Sequence, residues 1–298
     1  MNIGTVKSTT FFSQVHPLVS ILYFVGLFTL LLTFNHLLLI GTLFVSVLLL
    51  SGWYFSFHRL LTFFKGIVTL MIVIVLFNLI LNQNGRGLLW QWSLGVVNLR
   101  ITRTGFLYGC TMALSLGAMI VAFVLFNGIV TTPKLSYLLF PVVPRLAMLL
   151  TISLRLVSLF IQKFRRLAMF QKTRGIILSE GNWRQRIRKT GRLLRILFID
   201  SVSSAMETAV LMEARGFGAR KRSHYQSYTW QRADIIFSGG LITLFAVILM
   251  CRWQGWGWTG DVYQFTAIAH TDWWLVLPLL GFVNLPLLGE GMYRLWEN

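Results

Sequence analysis

Apolar positions in this chain gather into long blocks, separated by short polar or charged breaks. Residues 18–34 and 37–55 form two such blocks, divided only by Asn35 and His36. Each is close to the roughly 20 residues a helix needs to cross hydrocarbon. A third span is expected over residues 66–81, after His58, Arg59 and Lys65, which read as a basic loop. The cluster Asn82-Gln83-Asn84-Gly85-Arg86-Gly87 marks a turn. Residues 88–103 alternate weakly in polarity, as in an interfacial ribbon or loop, and a fourth span follows over 105–127. Residues 235–250 and 274–288 supply a fifth and a sixth, the last interrupted by Pro278 and Pro286 and therefore expected to kink. The first apolar run goes on well past the length of a secretory leader, so it reads as an uncleaved span.

Between the fourth and fifth spans the pattern changes. Thr131-Thr132-Pro133-Lys134 opens a short helix, which Pro141 and Pro144 close. From Leu146 to Phe170, apolar residues recur at the 3.6-residue period, with positive charge gathering towards the end. A second periodic stretch runs through Ile199, Val202, Met206, Val210 and Met212, with Asp200, Glu207 and Glu213 off its apolar stripe. Both stretches stop the same way, at Thr173-Arg174-Gly175 and at Ala214-Arg215-Gly216. A glycine there takes up the left-handed conformation that ends a helix, which leaves each arginine on the last turn. One such pair is ordinary helix-end chemistry. Two on consecutive helices predict a purpose: a planar five-donor head, held at the negative end of a helix dipole, is free to reach a partner's carboxylates or carbonyls.

Composition turns this pattern into a class. Of 298 residues, 56% are hydrophobic and only 12% charged, against roughly a quarter in soluble domains. The expected fold is therefore all-α: a polytopic membrane protein with about six transmembrane helices and a cytoplasmic domain of amphipathic helices. Residues 1–127 would hold spans one to four, 128–232 the cytoplasmic domain, and 233–298 spans five and six. The formal charge is +18, and 17 of the 27 basic residues fall between Arg155 and Arg232. Topology explains that concentration, and no nucleic-acid partner is expected, since no recognition motif accompanies it. Residues 146–161 are apolar enough to pass for a span. Keeping them on the inner side leaves 23 basic residues there against 4 outside, with both termini cytoplasmic, whereas letting them cross ruins the asymmetry. Arg184, Arg186, Arg188, Lys189, Arg192 and Arg195, lying between the two long helices, read as a solvated or lipid-headgroup face. Seven of the eleven tryptophans fall on the expected outer side, as an aromatic belt requires.

Motifs for other chemistry are missing. There is no phosphate-cradling Gly-x-x-x-x-Gly-Lys-Ser/Thr loop, and the five histidines are scattered. Cys110 and Cys251 lie in apolar runs and imply neither disulfide nor metal site. Asp234 and Glu290 fall near span boundaries and read as solvated end positions. No catalytic residues, metal site or cofactor are expected. The rival readings are a stand-alone secondary transporter and a polybasic scaffold binding anionic lipid or other proteins.

The order of these features carries a family likeness. Thr131-Thr132-Pro133 with its short helix, the stretch to Arg174-Gly175, and Ser204-Ala205-Met206 through Ala214-Arg215-Gly216-Phe217 together resemble the transmembrane T component of energy-coupling factor transporters. That family serves cobalt, nickel and vitamin uptake in prokaryotic cell membranes. The resemblance covers about residues 10–250. It implies that Arg174 and Arg215 dock two ATP-binding-cassette ATPase subunits, that Gly175 and Gly216 stop the helices presenting them, and that Thr173 and Ala214 complete the two signatures. It also implies a small membrane subunit that captures the substrate. Thr173 stands where the family usually has alanine.

Overall fold

The computed structural model describes residues 11–55, 57–82, 88–94, 97–175, 180–216, 230–257 and 270–297. The chain divides into two compact units, residues 132–227 and the remainder.

The larger unit begins with α1 (Phe11–Gln14), α2 (Pro17–Thr33) and α3 (Leu37–Tyr54). Pro17 at the first helical position and the His16 ring, whose Nδ1 accepts from Leu18 N at 3.3 Å, start α2. After α4 (Phe57–Leu81), strands β1 (Leu88–Leu94) and β2 (Val97–Thr102) pair antiparallel, with a register shift between Leu88 and Trp90. The weak alternation expected over 88–103 is thus a two-stranded ribbon. Thr102 ends it and caps α5 (Arg103–Ile129), its hydroxyl accepting from Gly105 N. His58, Arg59 and Lys65, expected in a loop, instead belong to the backbone of α4. The helix starts earlier than its apolar run because nothing in residues 57–65 breaks it.

Small residues decide how α5 packs. Gly105, Gly109, Ala113 and Gly117 recur every fourth position, which lays one narrow seam along the helix. A Cβ on Gly109 would come within 3.1 Å of Asn78 Cβ, and one on Gly117 within 3.0 Å of Met71 Sδ, so α4 and α5 meet almost backbone to backbone. The opposite side of α4 leaves Phe63, Ile72, Leu76 and Phe77 exposed, a face suited to hydrocarbon rather than water.

The core forms where α2, α3, α5, α9 (Arg232–Trp253) and α10 (His270–Glu297) converge. Tyr23, Phe24 and Leu27 of α2 are wholly buried there, with Val47 and Leu50, Ala122 and Leu125, Ile248, and Phe282. Pro278 and Pro286 both lie inside α10. Tyr23 Oη donates to the Val283 carbonyl at 2.9 Å, which ties α2 to the proline-bearing stretch of α10.

The smaller unit contains α6 (Thr132–Val142), α7 (Pro144–Thr173) and α8 (Trp183–Ala214). Pro144 closes the turn after α6 and opens α7. The basic stretch from Arg184 and the later apolar stretch, read separately in the sequence, are one continuous helix of 32 residues. No proline occurs within it, and Gly191 alone is too weak a breaker to divide it.

Among the described residues, six helical segments are long and apolar enough to cross a membrane: α3, residues 61–81 of α4, α5, α7, α9 and residues 273–291 of α10. The count matches the expectation, but the membership differs. Helix α2, with 17 residues, is about 26 Å long and falls just short. Helix α7 has the length and the apolar window, yet it groups with α6 and α8 in the smaller unit.

Candidate docking site at two arginine-tipped helices

Both arginine-bearing ends close with the same bond. Arg174 and Arg215 are the C-cap residues that follow α7 and α8, with nearly equal backbone angles (φ −85°, ψ 11° and φ −84°, ψ 8°). The next residues, Gly175 at φ +75° and Gly216 at φ +71°, turn left-handed. Gly175 N donates to the Lys172 carbonyl at 3.1 Å, and Gly216 N to the Glu213 carbonyl at 2.9 Å. In each case the glycine reaches back three residues, satisfies a carbonyl that the helix end would leave open, and stops the helix with the arginine as its cap. Both arginines are exposed, and neither takes part in an ion pair among the described residues.

Thr173, the departure from alanine, fits without disturbing this geometry. Its hydroxyl donates to the Phe170 carbonyl at 2.8 Å, so the extra polar group is satisfied inside α7's own last turn. Ala214 takes the equivalent place on α8.

One feature of the site was missed in the sequence. Lys163 Nζ donates to Asp200 Oδ2 at 2.6 Å and to Ser204 Oγ at 3.0 Å, which pins α7 to α8. It is the one salt bridge among the described residues. From this pin an arm of about 16 Å runs to Arg174 and one of about 22 Å to Arg215, at 1.5 Å per residue. Asp200 was visible as an off-stripe acid, but its pairing across 37 residues leaves no periodic signal.

The acids at the membrane boundary are buried rather than solvated. Asp234 is 3% exposed and Glu290 4%. Asp234 completes a capping box on α9, accepting from Gln231 N at 3.1 Å and also from His16 N at 3.3 Å. Beside it the His16 and Trp230 rings stack with centroids 4.6 Å apart. Glu290 lies against the Tyr54 hydroxyl. A helix cap accounts for the Asp234 carboxyl, and that of Glu290 is enclosed beside Tyr54. The described residues bring no three His, Cys, Asp or Glu side chains together as a metal site would require. Trp258 lies outside the described residues, as do the side chains of Trp90 and Trp92.

Helices of spanning length around one apolar core, beside a second helical unit that carries two glycine-capped arginine tips, define a multi-pass membrane protein. The family described as CbiQ, cobalt transport protein, matches residues 9–225. The chain belongs to that family, the transmembrane T components of energy-coupling factor transporters. Several curated relatives share the name energy-coupling factor transporter transmembrane protein EcfT. The one from Staphylococcus aureus is 29% identical over 248 residues, 78% of this chain and 90% of its own length. That of Streptococcus thermophilus is 31% identical over 206 residues, covering 64% and 76%. The match to the Lacticaseibacillus paracasei protein is 34% over 111 residues and spans only 42% of that relative.

Proposed function

We propose that this chain is the coupling subunit of an energy-coupling factor importer in a prokaryotic cell membrane. Two ATP-binding-cassette ATPases would each grip one arginine tip, Arg174 or Arg215, and a small membrane subunit would carry the substrate, a vitamin or a metal ion such as cobalt or nickel. The chain catalyses nothing itself; ATP is hydrolysed by the partner subunits. The observation that carries this reading is the duplicated tip: two exposed arginines with matching backbone angles and matching glycine stops, neither in an ion pair among the described residues. Arginine suits the task because its charge survives partial desolvation and its fork fixes direction.

The mechanism is mechanical. Closure of the ATPases on ATP draws both tips together, and the Lys163–Asp200 pin makes α7 and α8 respond as a pair. The exposed apolar side of α8, including Ile199, Met206 and Val210, then tilts the substrate-binding subunit. In this reading residues 128–232 are cytoplasmic, α7 lies along the inner leaflet instead of crossing, α2 serves as the first span, and both termini face the cytoplasm. Gly175 and Gly216 set the helix stops, while Thr173 and Ala214 hold the last turns.

Reversing both charges, Arg174→Glu with Arg215→Glu, should leave membrane insertion intact and abolish co-purification with the ATPases, along with uptake. Retained co-purification and uptake in that double variant would overturn the proposal.

A further inference from the structure

The amino-terminal half of α8 carries a surface that the docking tips do not use. Arg184, Arg188, Arg192 and Arg195 are spaced four, four and three residues apart, so at 100° per residue they lie along one face. Alongside runs a second stripe, Trp183, Ile187, Leu194 and Phe198, which are 74%, 53%, 44% and 67% exposed. Leu193 and Leu197, buried, mark the other side of the helix.

Nothing within the helix favours this arrangement. Arg184 and Arg186 fall in or beside the first turn, at the positive end of the dipole, where cations are destabilising, and that turn has no acidic residue. None of the four striped arginines is in an ion pair among the described residues. Both their charge and their position call for an external anion. The neighbouring apolar stripe narrows the choice: a basic row beside exposed tryptophan, isoleucine, leucine and phenylalanine is the chemistry of a helix lying in a headgroup layer, phosphates on one side and acyl chains on the other. A free phosphate or a nucleic-acid backbone would leave the apolar row unused. The unit is also joined at both ends, through α5 and α9, to helices of spanning length.

We infer that residues 183–198 form an anionic-lipid-binding face, which docks α8 onto the acidic phospholipid headgroups of the bilayer surface. This is separate from the ATPase-docking reading and does not depend on it.

The test uses the full chain, without partners, in nanodiscs of phosphatidylcholine alone or with phosphatidylglycerol, and follows amide hydrogen exchange across α8. One basic residue near an anionic surface is worth about fivefold, so four set a ceiling of several hundredfold. Phosphatidylglycerol should slow exchange over residues 183–198 by at least about tenfold, on that same basis. The variant Arg184→Gln, Arg188→Gln, Arg192→Gln, Arg195→Gln should lose this lipid dependence. The corresponding fourfold lysine variant should keep it, which separates lost charge from lost folding. Equal exchange in both lipids overturns the inference, as does slowing that persists in the glutamine variant. Protection that appears only when ATPase subunits or nucleic acid are added overturns it as well.

Discussion

Replacing Gly175 by alanine should fray the tip that presents Arg174, and the size of the effect follows from the backbone. Gly175 sits at φ +75°, and a Cβ built there meets nothing within 4 Å. Neighbouring atoms therefore contribute no clash, and the whole cost is that of a left-handed conformation in an L residue, about 1–2 kcal/mol. The chain avoids this cost by unwinding the last turn, which breaks the bond from Gly175 N to the Lys172 carbonyl and loosens that from Arg174 N to the Gln171 carbonyl. A penalty of this size raises the open population about 5- to 30-fold, from the same range. Hydrogen exchange at the end of α7 in the full chain measures it directly, with the end of α8 as an internal reference. The same substitution at Gly191, inside α8 with open space around it, should have the opposite sign and stabilise its helix by about 0.5–1 kcal/mol. Unchanged exchange at the α7 tip in Gly175→Ala, or faster exchange in α8 of Gly191→Ala, would refute the idea that φ alone sets these positions.

Other consequences follow from the larger unit. Burial pushes the His16 imidazole below its usual 6.5, against a weaker upward pull from Asp234. The unfolded chain then binds the proton more readily than the folded one, so His16's contribution is fully present above about pH 6.5 and is lost as the pH falls below that value. Protonating Nδ1 would also cost α2 the acceptor for Leu18 N; a His16→Asn variant should flatten this part of a pH–stability profile, and an unchanged profile would count against the assignment. Gly26→Ala would bring a Cβ to 2.7 Å from Phe282 Cζ in the buried core and should destabilise by about 1–3 kcal/mol, whereas Gly41→Ala, with nothing within 4 Å, should not. Thermal unfolding in detergent distinguishes the two, and equal transitions would show that α2 and α10 do not approach as described.

Arg174-Gly175 and Arg215-Gly216 were legible because a helix end is a local event. A left-handed glycine and the carbonyl three residues back need no distant partner, so sequence spacing alone places them, and the positive φ at both sites follows. The apolar blocks were legible for the same reason, since spanning length and helical period are properties of single segments. Beyond the segment, pattern gave less. It split α8 in two because the switch from basic to apolar composition resembles a boundary, although no breaker is present. It also took Asp234 and Glu290 for solvated ends, because their burial depends on His16 and Tyr54, more than 200 residues away in the chain.

The amino-acid order thus determined where helices run, where they stop and which charges stand at their ends. Tertiary structure alone decided that Lys163 meets Asp200, that the glycine seam of α5 seats against α4, and that the boundary acids are enclosed. Hydrogen bonds within a turn join residues three or four apart and so leave a periodic trace. Contacts between helices depend on how separate rods come together, and no short-range period encodes that.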